Sequence, residues 1–366
     1  MASAILPIPT LAGIIYDVAH TIQAGGFANQ YSTAAMVIFG VHIGLDILEI
    51  ILSFILGLRI LRDKRYHAAA LCSAMIIVTI GITVCNIMLR GYNASLIALG
   101  ILLVILIVLQ SYLDPALHDE RELQRKLRDM ETREQAEDGT LGLDQTGKGY
   151  ISLNFFNLFW IFVISSILGI LLETLYHYYL FGSYENRAGL LFGPFSPIYG
   201  FGAVIMTCAL NRHRDANFII IFLISAVIGG AFEYCVSWFL QFSFGVVAWD
   251  YSGTFLSIDG RTNGMYMAIW GVLGVLWIKI FLPIMLKIVN AIPWNWRYTI
   301  TTICAALLIV DGVLTLLAMD CWYSRSEGKQ PETAAEVYMN DHFGDDFMQN
   351  RFQSMYINPS TTTRAD

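Results

Sequence analysis

Long apolar runs separated by short polar connections dominate the chain. Eight of them, at about 34–58, 68–89, 95–113, 153–180, 194–210, 217–241, 264–287 and 299–322, have the length of a membrane-crossing helix. A spanning helix needs about 20 mostly apolar residues, because each residue advances only about 1.5 Å through a hydrocarbon core of about 30 Å. Backbone groups in hydrocarbon find no water, so these runs are read as helices; the two-residue alternation of a membrane barrel is absent. The fifth run is short and interrupted by proline. The pattern predicts an all-α, polytopic membrane bundle, with three helices followed by five.

Four regions are expected: a three-helix membrane module at 1–113, a charged cytoplasmic linker at 114–152, a five-helix membrane domain at 153–322, and an acidic, flexible tail at 323–366. The linker pairs Glu122 with Lys126 and Asp129 with Arg133 at helical spacing, with Leu123, Leu127 and Met130 on one face. Such a helix is either simply solvated or a docking element for a separate soluble subunit. It ends in Gly139, Gly142, Gly147 and Gly149, a flexible stretch. Gly142-Leu-Asp-Gln-Thr-Gly147-Lys148-Gly149 approaches a phosphate-binding loop. Gly149 replaces the hydroxyl residue that would hold Mg²⁺, so no nucleotide site is expected.

Composition agrees with the pattern. Of 366 residues 56% are hydrophobic and 14% charged, too few charges to wet a soluble surface. The net charge of −7 argues against nucleic acid as a partner. The cysteines, Cys72, Cys85, Cys208, Cys235, Cys304 and Cys321, lie in or at the ends of apolar runs, without disulfide or zinc spacing. The first base is Arg59, so no basic-headed leader is expected. Four connections on one side of an eight-helix count (59–67, 114–152, 211–216 and 288–298 with its flanks) hold 14 of the 22 Lys and Arg residues. The opposite connections hold Arg90, Arg187 and Arg261 alone. The positive-inside rule then puts the basic connections in the cytoplasm and both termini outside.

Charged groups inside apolar helices cost about 2.5–3.5 kcal/mol each on insertion scales, so each asks for a reason. His42, Asp46 and Glu49 share one face of the first span. They read as structural pairing, a proton or ion relay, or a metal set. Glu173 and Glu233 fall at matching depth near the outer ends of the fourth and sixth spans. Arg187 and Arg261 are the nearest bases, Trp249-Asp250-Tyr251-Ser252 lies in an outer connection, and His177 is one turn from Glu173. Gly193-Pro194-Phe-Ser-Pro197-Ile-Tyr199-Gly200 cannot begin a continuous helix, and broken backbone at membrane depth commonly lines a cavity. Glu173, Arg187, Pro194, Tyr199, Glu233, Trp249, Asp250, Tyr251 and Arg261 are the expected solute- or ion-binding residues. Glu173, His177 and Glu233 are a remoter metal set, and no cofactor is expected.

The same residues carry a family resemblance. Gly169 and Glu173, Arg187 and Gly189, Gly193-Pro194 with Pro197-Ile198-Tyr199-Gly200 and Gly202, Glu233, Trp249-Asp250-Tyr251-Ser252, Gly260-Arg261 and Trp270-Gly271 resemble the CmpB-like, ABC-transporter type IV membrane proteins of bacteria, which have small eukaryotic multi-pass relatives. The resemblance spans about 153–282 and leaves the three-helix module outside. Asp259 stands where the family pattern suggests Asn. The resemblance implies a permease of the bacterial cytoplasmic membrane served by a separate ATPase, since no ATPase motif is present, and no secure catalytic constellation either. A membrane enzyme acting on a lipid headgroup or other outer-leaflet substrate, and a non-catalytic assembly or sensor protein, stay open as alternatives.

Overall fold

The structure, a computed structural model, describes residues 32–62, 68–113, 134–135, 142–144, 147, 149–292 and 294–362, together with positions 13 and 364. The linker face at Leu123, Leu127 and Met130 lies outside the described residues. The chain divides into two compact units, Met1–Glu131 with Thr361–Asp366, and Thr132–Ser360.

The first unit holds α1 (Thr33–Leu61), α2 (Ala68–Arg90) and α3 (Ser95–Leu113). Ser32 caps α1 by accepting from the Ala35 N–H at 3.2 Å. Leu56 packs with Ala68, Cys72 and Met75 of α2 and Leu106 of α3.

The second unit is built on α4 (Phe155–Phe181), α5 (Pro197–Leu210), α6 (Phe218–Phe244), α7 (Gly264–Leu276), α8 (Leu282–Asn290) and α9 (Trp294–Ser326). Asparagines start three of them: Asn154, Asn217 and Asn263 each accept a first-turn N–H. Gly182 and Gly245 end α4 and α6 in the left-handed conformation. A π turn at Trp277–Phe281 joins α7 to α8, just before Pro283. Proline cannot donate to the preceding turn, and the wider π turn carries the chain through that gap. Ile161, Met206, Leu210, Ile221, Ile278, Leu282 and Leu286 form the buried core where these helices meet. A side chain at Gly169 would collide with the Tyr199 ring and one at Gly229 with Trp270, so these glycines let α5 pack closely on α4 and α7 on α6.

Among the described residues, six helical stretches are long and apolar enough to cross a membrane: Thr33–Leu61, Ala70–Arg90, Phe155–Phe181, Phe218–Phe244, Gly264–Asn290 and Thr299–Ser326. Ser95–Leu109 and Pro197–Leu210 are shorter apolar helices. The protein is thus an all-α, multi-pass membrane protein. Of the eight expected runs the fifth is the short one, a helix of 14 residues.

The C-terminal segment, expected to be flexible, is folded. α9 runs on to Ser326, and α10 (Ala334–His342), α11 (Asp345–Arg351) and β2 (Tyr356–Ile357) follow. Thr333 and Glu336 form a capping box on α10. Met339, Met348 and Phe352 are buried, which gives this charged stretch an apolar underside that its composition conceals. β2 pairs antiparallel with β1 (Val246–Val247), directly after α6.

Candidate functional site

Glu173, two turns before the end of α4, meets Arg187 from the connection that follows, Oε1 to Nη1 at 3.4 Å. Arg187 is shared: its Nη2 lies 2.8 Å from Glu185 Oε2. Glu185 in turn holds His177 at 2.6 Å through Nε2. Tyr199, in the first turn of α5, hydrogen-bonds the Glu173 carboxylate. The broken start of the fifth run therefore delivers a hydroxyl to the carboxylate of the fourth.

Glu233 on α6 is buried, 5% exposed, and is satisfied without a base. The Tyr251 hydroxyl donates to Oε1 at 3.1 Å and the Thr262 hydroxyl to Oε2 at 3.0 Å. The Trp270 indole of α7 adds a third hydrogen bond. Tyr251 and Tyr266 stack at 4.3 Å between ring centroids, and their hydroxyls hydrogen-bond. Burial, then the Glu233 charge, pushes the Tyr251 phenol well above its ordinary range, so it stays a donor.

The loop between α6 and α7 is a small framework of its own. Trp249 donates from Nε1 to the Arg261 carbonyl at 2.7 Å, and the Tyr251 N–H to the Gly260 carbonyl at 2.7 Å. The exposed Asp250 accepts from the Ser252 N–H at 2.8 Å. The Ser252 hydroxyl first, then this N–H, hold its carboxyl below the usual aspartate range. Pro194 is exposed, beyond Gly193 in the left-handed conformation.

The loop at 190–193 is held from two sides. Thr315 and Asp311 of α9 accept the N–H groups of Leu191 and Phe192 at 2.9 and 3.2 Å. From the C-terminal segment, Arg351 donates to the carbonyls of Leu190 at 2.8 Å and Gly193 at 2.5 Å. Gln353 accepts from the Asn186 N–H at 2.7 Å. Burial lowers the pKa of Arg351, and the Asp311 carboxylate offsets part of that.

Two expectations need correction. Arg261 does not meet Glu233; its guanidinium lies over the rings of Phe242 at 5.3 Å and Tyr234 at 5.8 Å. Glu173, His177 and Glu233 do not form a metal set, because His177 is drawn to Glu185 and Glu233 to two hydroxyls. Among the described residues no group of three or more His, Cys, Asp or Glu side chains is arranged to hold a metal ion.

In the first unit, His42 Nδ1 and Asp46 Oδ2 are 3.3 Å apart, and Thr79 of α2 donates to Glu49 Oε1 at 2.7 Å. All four are buried. His42 thus meets Asp46 on its own helix, and Glu49 meets a hydroxyl of the next helix. Sequence reasoning missed Thr79, and in the second unit Glu185, Thr262, Tyr266 and Arg351. Hydroxyl residues in helices and loops carry no mark of which carboxylate they will meet, whereas Glu185, two residues from Arg187, was open to inspection.

Residues 160–316 match the family model described as "Putative ABC-transporter type IV". Comparison with curated proteins and with solved structures gives no match. The matched segment contains Glu173, Glu233 and every residue around them except those of the C-terminal segment, and it leaves out α1–α3. The resemblance read from the motifs is thus shown for that segment: it is similar to the membrane component of an ABC-type transporter.

Proposed function

We propose that this is a permease-like protein of the bacterial cytoplasmic membrane, whose outward-facing polar site binds a small cationic solute or ion. The observation that carries this reading is the pair of carboxylates at matching ends of α4 and α6, each met by donors from the connection that follows its helix: Glu173 by Arg187, and Glu233 by Tyr251 and Thr262. Arg187 serves two carboxylates, those of Glu173 and Glu185, and Glu233 meets hydroxyls rather than a base; that excess of acid favours a cation. Eight crossings in a three-plus-five order, with α5 as the short one, place the basic connections in the cytoplasm and the site outside. A separate ATPase docking at 114–152 would supply energy.

The test is thermal unfolding of the detergent-purified protein against inorganic cations and small organic ammonium compounds. At least one should raise the melting temperature of the wild type and leave Glu233→Gln unmoved. A wild type indifferent to every cation, or a variant protected equally, overturns the reading. For orientation, cysteine placed at Lys64 should react with an impermeant reagent only after the cells are opened.

A further inference from the structure

We propose that the turn between α6 and α7 is a binding site for the headgroup of a zwitterionic phospholipid, with Arg261 on the phosphate and Asp259 and Asp250 on the ammonium.

The first observation is an apolar tip. Phe255 is 80% exposed and Leu256 64%, with Ile258 and Met265 exposed beside them. The tip sits against Gly264, the first residue of α7, where a spanning helix meets its boundary. Water is a poor medium for such a cluster, and acyl chains are its natural cover.

The second observation is strain. Among the described residues, Leu256 and Asp259 are the two non-glycine residues in the left-handed region, with φ of 52° and 51°. Both lie in this one turn, which is closed by the Ile258 and Thr262 bridge and by the Arg261 N–H bonded to the Ile258 carbonyl at 3.0 Å. Strain held by surrounding bonds accompanies sites whose geometry matters. Here it accompanies Leu256 and Phe255 packed beside Gly264, and Asp259 bonded to Tyr234.

The third observation is the state of Arg261. Its guanidinium rests over Phe242 and Tyr234, and its buried Nε has no hydrogen-bond partner among the described residues. An arginine stacked on aromatic rings beside lipid-facing side chains is well made for phosphate, which it can grip with paired N–H bonds. The neighbouring charges choose the lipid class. Asp259 accepts from the Tyr234 hydroxyl at 2.8 Å, and Asp250 lies beside Gly260. One base flanked by two carboxylates matches a phosphate that carries its own ammonium, and repels a headgroup of net negative charge.

This inference does not rest on the cation reading, since it uses Arg261, Asp259 and Asp250 and asks nothing of Glu233. The test is native mass spectrometry of the full chain with phosphatidylethanolamine, phosphatidylglycerol or diacylglycerol, and with free phosphoethanolamine as competitor. Phosphatidylethanolamine should be retained over the other two, and the free headgroup should not displace it. Arg261→Gln should weaken retention about tenfold, the scale of one lost charge-assisted contact. Asp259→Asn should erase the preference over phosphatidylglycerol, and the double change Phe255→Ser with Leu256→Ser should lower retention of all three lipids. Arg261→Lys, which keeps the charge and loses the paired geometry, should be intermediate and serves if the Gln variant fails to fold. Equal retention by Arg261→Gln or Arg261→Lys and wild type, equal binding of phosphatidylglycerol, or displacement by free phosphoethanolamine would overturn the proposal.

Discussion

Glu173 and Glu233 occupy matching ends of α4 and α6, and the protein compensates them by different means. Around Glu173 the compensation is ionic: Arg187 bridges Glu173 and Glu185, and His177 completes the chain. Around Glu233 it is neutral: a phenol, an alcohol and an indole donate to one buried carboxylate. An ion-paired set fails abruptly when its one base is removed, because every carboxylate it served is stranded together. A set of neutral donors fails in steps, because each removal leaves the others in place. The difference also divides the labour of the loops. The connection after α4 carries charge to the site, and the turn before α7 carries hydroxyls.

The largest effect should therefore follow Arg187→Met. Losing one partner of a buried pair costs about 3–5 kcal/mol. The Arg187 and Glu173 side chains are 22% and 27% exposed, so the lower end, about 3 kcal/mol, is expected here. Thermal unfolding in detergent reads this directly. Adding Glu173→Gln to Arg187→Met should restore part of the loss, since the stranded charge then disappears. A double variant no more stable than Arg187→Met alone would show that the arginine acts by packing, and the ionic half of the comparison would fall.

Steps of intermediate size are expected at Glu233. Thr262→Val and Tyr251→Phe each remove one hydroxyl donor to a buried carboxylate, at about 1.5–3 kcal/mol apiece. The valine keeps the volume of threonine, so the change isolates the hydrogen bond. Both variants should fold, and the two losses should not simply add, because the donors share one acceptor group. A Thr262→Val protein as stable as the wild type would mean that Tyr251 and Trp270 suffice, and that the neutral set is redundant rather than graded.

Much of the frame was legible from the apolar runs, since helices such as Phe218–Phe244 need only unbroken hydrophobicity and a capping residue at each end. Glu173 and Glu233 were legible for the same reason: a carboxylate inside such a run is an anomaly. Their partners were less so. Arg187 follows α4 in the chain and was within reach of inspection, but Thr262 and Tyr266 belong to a turn and a helix start that composition does not distinguish from any other. Arg261 shows the limit most clearly. It was grouped with Glu233 as one of the nearest bases, yet its guanidinium rests over the rings of Tyr234 and Phe242, a tertiary contact that chain order does not show. The stripe His42, Asp46, Glu49 was read from helical spacing, but Thr79 on the next helix was not, because pairing across helices is tertiary. The C-terminal segment was misread because its charges outnumber its buried Met339, Met348 and Phe352, although those few residues decide that it folds.

The smallest effect should come from Asp250, the exposed carboxylate on the hydroxyl-bearing side. Its carboxyl is held below the ordinary aspartate range by the Ser252 hydroxyl and N–H. A depressed carboxyl favours the folded state at any pH above the unfolded value of about 3.9. That contribution is lost as the pH falls through the still lower folded value. Being exposed and screened, the group should contribute only a few tenths of a kcal/mol, or about half a degree in melting temperature. Asp250→Asn should therefore melt slightly below the wild type near neutral pH. The two curves should converge from about pH 4 downward, because the wild-type carboxyl is then being protonated. An Asp250→Asn protein whose difference from wild type stays constant across that range would show that the Ser252 bonds are kept by the amide as well. The turn before α7 would then be insensitive to acid, and the contrast with the charged connection after α4 would be sharper than Asp250 suggests.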